Sequence, residues 1–450
     1  MYPGQLPSGG MLPAIPNRAA ASAQSTKKLA ENTMVVAYTN WSGAFTFTAP
    51  AARYPTSLDE LRRAVASAER IHAVGARHCF NGIADSAVIV SLANLPMPVE
   101  IDRDAMTVTI NPGMRYAELL VALEAEGLAI HNTASLPHIT IGGAVATATH
   151  GSGDNLGNLA TAVSAMELIT AGGDIVRVQR GEPDFPGMVV HVGALGIVSQ
   201  ITLDLQPSYR MRQEVFLDLD WDVLYTNFDE IMACGDSVSL FCDYGPTVNE
   251  LWVKTRVAED DAWQPRPELF GARAATQQTH PVPKFDGTVC TDQLGAVGAW
   301  CDRLPHFKLH ALTDAGNEMQ AEYMIERKHA VDGIKALREL EELTRPYILA
   351  AEIRSAAPDD LWLSSSFERE TICLHYALKL DHDIPRNVLP VIEAALAPYA
   401  PRPHWGKLFV ATAEALAPRY PKMADFRALA ARLDPNGKFR NAFLDAHILG

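Results

Sequence analysis

Four stretches of this 450-residue chain carry side chains able to do chemistry. The first is Val74-Gly75-Ala76-Arg77-His78-Cys79-Phe80-Asn81. It follows an apolar run, and its glycine lets consecutive backbone N–H groups turn toward a phosphate. A lone loop histidine is also commonly structural, so the spacing leaves both readings open. The second runs from Ala134-Ser135-Leu136-Pro137-His138 through Thr140, Gly143, Thr147, Ala148, Thr149 and His150 to Gly153. Nearly every side chain from Gly142 onward is small, so backbone can approach a flat ligand while amides and hydroxyls supply hydrogen bonds. A flexible linker is the alternative, but the interleaved Ile141, Val145 and two histidines favour a ligand cradle. The third is Glu352-Ile353-Arg354, where strand alternation puts both charges on one face; by itself it reads as a surface ion pair worth little. In the fourth, His404-Trp405-Gly406-Lys407, the neighbouring Trp405, Leu408 and Phe409 imply a partly buried amine with a lowered pKa.

The elements that must position these residues follow from periodicity. Ser57 caps a helix in which Leu58, Leu61 and Val65 recur at helical spacing. A second helix spans Tyr116 to Glu126 and stops at Gly127. Strands are predicted at Val35 to Thr39, Ile71 to Val74, Met106 to Ile110, Ala165 to Thr170, Ile175 to Gln179 and Ile197 to Leu205. Beyond Tyr209 come longer strands, Ser237 to Cys242 and Glu250 to Val257, then a proline-broken loop from Trp263 to Pro283 and a helix from Val331 to Leu343. Asp434 to Phe439 is turn-rich. The fold class is α+β, in two lobes.

Composition narrows the function. Hydrophobic residues make up 48% and charged residues 20%, as in ordinary globular proteins. A net charge of −15 with no concentrated basic patch argues against nucleic-acid partners. No apolar run reaches the roughly 20 residues of a membrane span. Six cysteines without a Cys-x-x-Cys pair argue against a zinc, iron-sulfur or disulfide framework, and no metal is expected. They read as buried thiols in a reducing compartment, hence cytoplasmic. The first thirty-odd residues are rich in Pro, Gly, Ala and Ser without a secretory apolar stretch, and read as a disordered extension. A P-loop is absent, and Gly151-Ser152-Gly153 lacks the third glycine of a Rossmann fingerprint.

Taken together, these motifs resemble the flavin-dependent oxidases of the vanillyl-alcohol oxidase type, with a PCMH-type FAD-binding domain, and most closely the alditol oxidases. The likeness runs from Asn40-Trp41 to Phe443 and includes Gly193 to Val198 and Asp360 to Ser364. It implies FAD bonded covalently through His78, with Gly75, Ala76, Arg77, His78, Cys79, Phe80 and Asn81 as the pyrophosphate loop. Ser135, Thr140, Gly143, Thr147, Ala148, Thr149 and His150 would continue the cradle. Val198 would contact the adenine end, and His404 would reach the flavin. It also implies a wall of Gln320, Glu352, Arg354 and Lys407 that holds a polyol, with Glu352, Arg354 and Lys407 as the catalytic set.

Three positions depart from that pattern. Cys79 stands where Ser is usual and Arg77 where a smaller residue is common. Ala377 replaces a substrate-binding Thr, a loss of one hydroxyl contact worth on the order of 0.5–1.5 kcal/mol. With the disordered extension taken as 1–37, the resemblance implies an FAD domain over 38–208, a substrate-binding domain over 209–400 and a segment over 401–450 that returns to complete the site. The implied activity is oxidation of a polyol's terminal hydroxyl with O2 as acceptor, by a monomer. The alternatives are an aldonolactone oxidase or dehydrogenase of the same fold, or an inactive flavin-fold protein.

Overall fold

Two antiparallel sheets, each with one apolar face, carry the architecture. The computed structural model describes residues 37–258, 262–310 and 317–450. Apart from Ala37, the expected N-terminal extension lies outside the described residues.

The first sheet orders Glu100–Asp102, Thr107–Ile110, Ile197–Asp204, Val163–Ile169 and Ile175–Gln179 side by side, all antiparallel. Met166, Leu168, Ile201 and Leu203 point into the core, where helix Tyr116–Ala125 adds Leu119, Leu120 and Leu123. That helix ends as predicted, with Gly127 just past it at φ +69°. Helix Leu58–Ser67 is capped by Ser57, whose hydroxyl accepts the Glu60 N–H. It buries Leu61 and Val65 in a cluster that also holds Val90 of a short parallel sheet, Ala52–Arg53, Ile89–Val90 and His72–Ala73.

The larger sheet brings Arg210–Leu219, Val248–Val257, Ser237–Cys242, Ile348–Ala356, Thr371–Lys379 and Glu318–Glu326 together in that spatial order, with Arg402–Pro403 at its outer edge. Period-two alternation divides it into two chemically different faces. Tyr323, Ile325, Leu374, Tyr376 and Ile353 form the apolar one, in a core shared with Ile334 and Leu337 of helix Ala330–Arg338 and Ile392 and Leu396 of helix Leu389–Leu396. A Cβ at Gly333 would lie 2.4 Å from Ile325 Cδ1, which shows how closely that helix is seated. On the opposite face the register aligns Phe241, Glu352, His375 and Glu322 in one row across four strands. Gln320, Ala377 and Ala350 form the adjoining row.

Several predicted elements change form. Of the strand expected at Val35 to Thr39, Val35 and Val36 lie outside the described residues, and Thr39 makes only an isolated bridge to Thr46. The loop from Trp263 to Pro283 contains a small hairpin, Glu268–Leu269 with Ala272–Ala274, turned at Gly271 with φ +78°. The helix expected from Val331 to Leu343 is two helices, Ala330–Arg338 and Glu341–Thr344. The Leu340 N–H reaches back to Leu337 O, tightening the chain between them. Among the described residues no helix is long and apolar enough to cross a membrane. All six cysteines are free thiols.

Candidate active site

A cavity of about 540 Å³ runs between the small-residue segments and the polar face of the large sheet. Gly75, Ala76, Arg77, His78, Cys79 and Phe80 are among its lining residues. A Cβ at Gly75 would fall 1.9 Å from Thr140 Oγ1, so only glycine lets this loop pass the cradle so closely. Arg77 takes a left-handed conformation (φ 63°), and its guanidinium donates to Thr39 O at 2.8 Å, so its bulk is directed away along the backbone. The His78 ring packs 4.8 Å from the Trp41 ring. Burial, then the nearby His138, Arg115 and Arg77, pushes its pKa down to about 4. The imidazole is therefore neutral, the form with a nucleophilic ring nitrogen.

The cradle continues through Ser135, Thr140, Gly143, Thr147, Thr149 and His150, and Val198 and His404 also line the cavity. Part of it is a helix, Ile141–Ala146. Thr147 Oγ1 donates to Gly143 O at 3.0 Å. The Gly406 N–H donates to His404 Nδ1 at 3.0 Å, which leaves the proton on Nε2, 3.4 Å from Thr149 Oγ1. Two of the residues assigned to the cofactor do not line the cavity. Ala148 is buried at φ 51°, where the chain turns after the helix. Asn81 donates instead to the carbonyls of Trp405 (2.8 Å) and Lys407 (2.7 Å), so its amide is spent on holding the C-terminal segment.

Gln320, Glu352, Arg354, Ala377 and Lys407 line the same cavity. The surface-pair reading of Glu352 and Arg354 is overturned, because both are 4% exposed. A sequence pattern shows which residues share a face, not that another layer covers it. The residue that organises this wall, Glu322, carried no sequence assignment. Its fully buried carboxylate takes Lys407 Nζ at 2.7 Å on Oε2, and Arg354 (2.9 Å) and His150 Nε2 (3.1 Å) on Oε1. Burial works to raise its pKa, but these cations outweigh it and hold the carboxyl well below its ordinary value.

The cations respond differently. Burial lowers the Lys407 pKa, with Glu322 the main opposing influence. His150 Nδ1 faces Gly151 O at 2.8 Å while Nε2 faces Glu322, so both ring nitrogens meet acceptors. Against the effect of burial, Cys373 and Glu322 raise its pKa to about 9. Glu322 was within reach of sequence reasoning, since alternation from Gln320 places it on the same strand face. Alternation from Ala377 places His375 likewise, whereas His306, also at the cavity, had no such signal. The site thus brings a neutral imidazole and a glycine-lined trough into one cavity with two clamped cations and a carboxylate. That arrangement suits a flat dinucleotide beside a hydroxylated substrate.

Comparison with known proteins decides the family. Residues 49–179 match the FAD binding domain model and residues 311–447 the D-arabinono-1,4-lactone oxidase model. An alditol oxidase from Streptomyces sp. is 43% identical over 91% of this chain and 99% of its own length. The chain belongs to the alditol oxidase family. More distant is an L-gulono-1,4-lactone dehydrogenase of Mycobacterium tuberculosis, 28% identical over 90% of this chain and 97% of its own. Among solved structures, cholesterol oxidase from B. sterolicum superposes with a TM-score of 0.73 at 15% identity, covering 92% of this chain and 96% of that one. That likeness establishes a fold shared with a PCMH-type flavoenzyme. FAD is the cofactor of this family member, and the residues fit it. Gly75 lets the loop lie against Thr140 where any Cβ would clash, and among the described residues the buried Nε2 atoms of His191 and His375, both at the cavity, have no protein hydrogen-bond partner.

Proposed function

We propose that this protein oxidises the terminal primary alcohol of a polyol such as xylitol or sorbitol to the aldehyde, with O2 reduced to hydrogen peroxide. The observation that carries this reading is the pairing of Lys407 and Arg354 on one buried carboxylate, Glu322, in the cavity that His78 also lines. Two donors fixed in advance at one point are suited to negative charge developing on a hydroxyl oxygen, because they need no reorganisation when it appears. Glu352 and Gln320, beside them, would hydrogen-bond the remaining hydroxyls. Ala377, between Gln320 and Ala350 in the sheet, would offer packing but no hydroxyl contact.

The loop Gly75 to Phe80, with Thr140, Gly143, Thr147 and Thr149, would hold FAD, and His78 would carry its covalent bond. When bound, FAD supplies the acceptor for the two electrons of the alcohol and their delivery to O2. The chain would act as a cytoplasmic monomer, with the FAD domain ending near 208, the substrate domain near 400, and the C-terminal segment supplying His404 and Lys407. The 43% identity to an alditol oxidase over nearly the whole chain supports the polyol.

A lactone reading is favoured by the family model matched over residues 311–447. One panel separates the two: flavin-loaded protein is mixed anaerobically with xylitol, sorbitol or L-gulono-1,4-lactone, then assayed in air for peroxide. Flavin bleaching and peroxide with the polyols are expected; bleaching by the lactone alone would end the polyol reading. The yellow colour should stay with acid-precipitated wild type and leave His78→Ala.

A further inference from the structure

Glu352 is not free to turn within the wall. His306 sets Nε2 2.7 Å from Glu352 Oε1, with both side chains buried. Its ring is clamped between the Phe241 and Trp252 rings, at 5.5 Å and 5.3 Å in edge-on contacts. On the far side of the imidazole, Nδ1 lies 3.2 Å from Lys254 Nζ. The same amine donates to the carbonyls of Arg303 (2.8 Å), Leu304 (2.7 Å) and Pro305 (2.8 Å).

These contacts fix the protons. Three carbonyls can only accept, and three N–H donors belong to an ammonium, not to a neutral amine. Lys254 is therefore charged, although burial draws its pKa well below the ordinary value and Glu352 is the main influence opposing that. With an ammonium facing Nδ1 and a carboxylate facing Nε2, the ring has one consistent form: lone pair on Nδ1, proton on Nε2, no net charge. Burial and then Lys254 lower its pKa to about 4, in agreement.

Other charged and titratable groups surround the pair. Arg354, on Glu352's own strand, has Nε 3.4 Å from Oε2. His375, on the neighbouring strand, has Nδ1 4.0 Å from the same oxygen. Lys407 acts on Glu322 and on His375, while Arg303 and Cys290 act on Lys254.

We propose that Lys254 and His306 are positioning residues for Glu352: the relay fixes one carboxylate oxygen and keeps the group ionised, leaving the other oxygen to accept a substrate hydroxyl. The inference rests on the reading of Glu352 as part of the polyol wall. It predicts an acceptor that survives into acid, because a carboxylate receiving an N–H bond resists protonation.

Two measurements on the flavin-loaded protein test it. In 15N-histidine NMR, with His306→Gln identifying the signal, His306 should remain the neutral Nε2–H form between about pH 5.5 and 8. Lys254→Met, which removes the cation and leaves the carboxylate, should raise the pKa of that signal. An imidazolium or Nδ1–H form in the wild type overturns the proposal, and this spectrum decides alone should the Met variant fail to fold.

In steady-state kinetics with xylitol, His306→Leu should raise KM by about tenfold or more, the worth of one hydrogen bond to a charged group. It should also move the acid limb of kcat/KM upward, and His306→Gln, which keeps a donor, should restore most of both. Wild-type KM and an unmoved limb in His306→Leu overturn the proposal. A wild type with the expected tautomer but no polyol turnover would refute the polyol reading instead, so the two failures are distinct.

Discussion

A carboxylate with no solvent exposure is tolerated only when its partners repay several kcal/mol of lost hydration, and Glu322 has three. In return it keeps Lys407 and Arg354 at one point and lifts the Lys407 pKa against burial. Glu322→Gln preserves shape and removes the charge. The variant should lose about 3–5 kcal/mol of stability, the cost of stranding buried cations. Because the Lys407 pKa falls further without its counter-charge, the alkaline limb of the kcat/KM profile for the polyol should move to lower pH. A variant whose limb stays in place would show that Lys407 does not depend on Glu322. The site was partly legible at this scale. His78, Glu352, Arg354 and Lys407 stood out by type and neighbours, and the structure brings them to one cavity. Glu322 was hidden because its strand was not read by alternation, and His306 because it sits in an irregular stretch with no period to place it.

Between elements, the site depends on joining segments far apart in the chain. Strand and helix limits near 58–67, 116–125 and 175–179 follow the sequence periodicity closely, because each of these elements has one covered and one uncovered side; the strand at 237–242 is buried along its whole length. Helix Ile141–Ala146 was not foreseen: Gly142 and Gly143 weaken helix propensity by about 1 kcal/mol each, and packing overrides it. Nor does periodicity reveal what Asn81 does, since its two acceptors lie 324 and 326 residues away. Those bonds set the height of the turn that carries Lys407 relative to the His78 loop. Asn81→Ala should cost about 1–3 kcal/mol for two stranded carbonyls and slow flavin reduction by the polyol, while His78 still retains its flavin through acid precipitation. Reduction at the wild-type rate would mean that the sheet alone positions Lys407.

For the molecule as a whole, lining a large cavity with histidines ties folding to pH. Burial is the first cause in each case that lowers His72, His191 and His306 to about 4. Their unfolded values lie near 6.5, so between pH 6.5 and 4 the unfolded chain binds protons that the native state refuses. Stability must fall with pH across that window, by about 1.4 kcal/mol per pH unit for each withheld proton. Asp359 offsets one of these below pH 6, because burial raises its carboxyl to about 6 and the native state there holds the extra proton. Above 6.5 the sign reverses at His150: its folded pKa of about 9 exceeds the unfolded value, so its contribution is complete below 6.5 and is lost as pH rises toward 9. The opposing slopes place the stability maximum near neutrality. Urea midpoints of the flavin-loaded protein at constant salt should be highest near pH 6.5 and lower at both 4.5 and 8.5. A midpoint that rises from pH 6.5 to 4.5 would mean that these histidines are charged in the folded protein, and the neutral imidazoles assigned at the cavity would then be wrong.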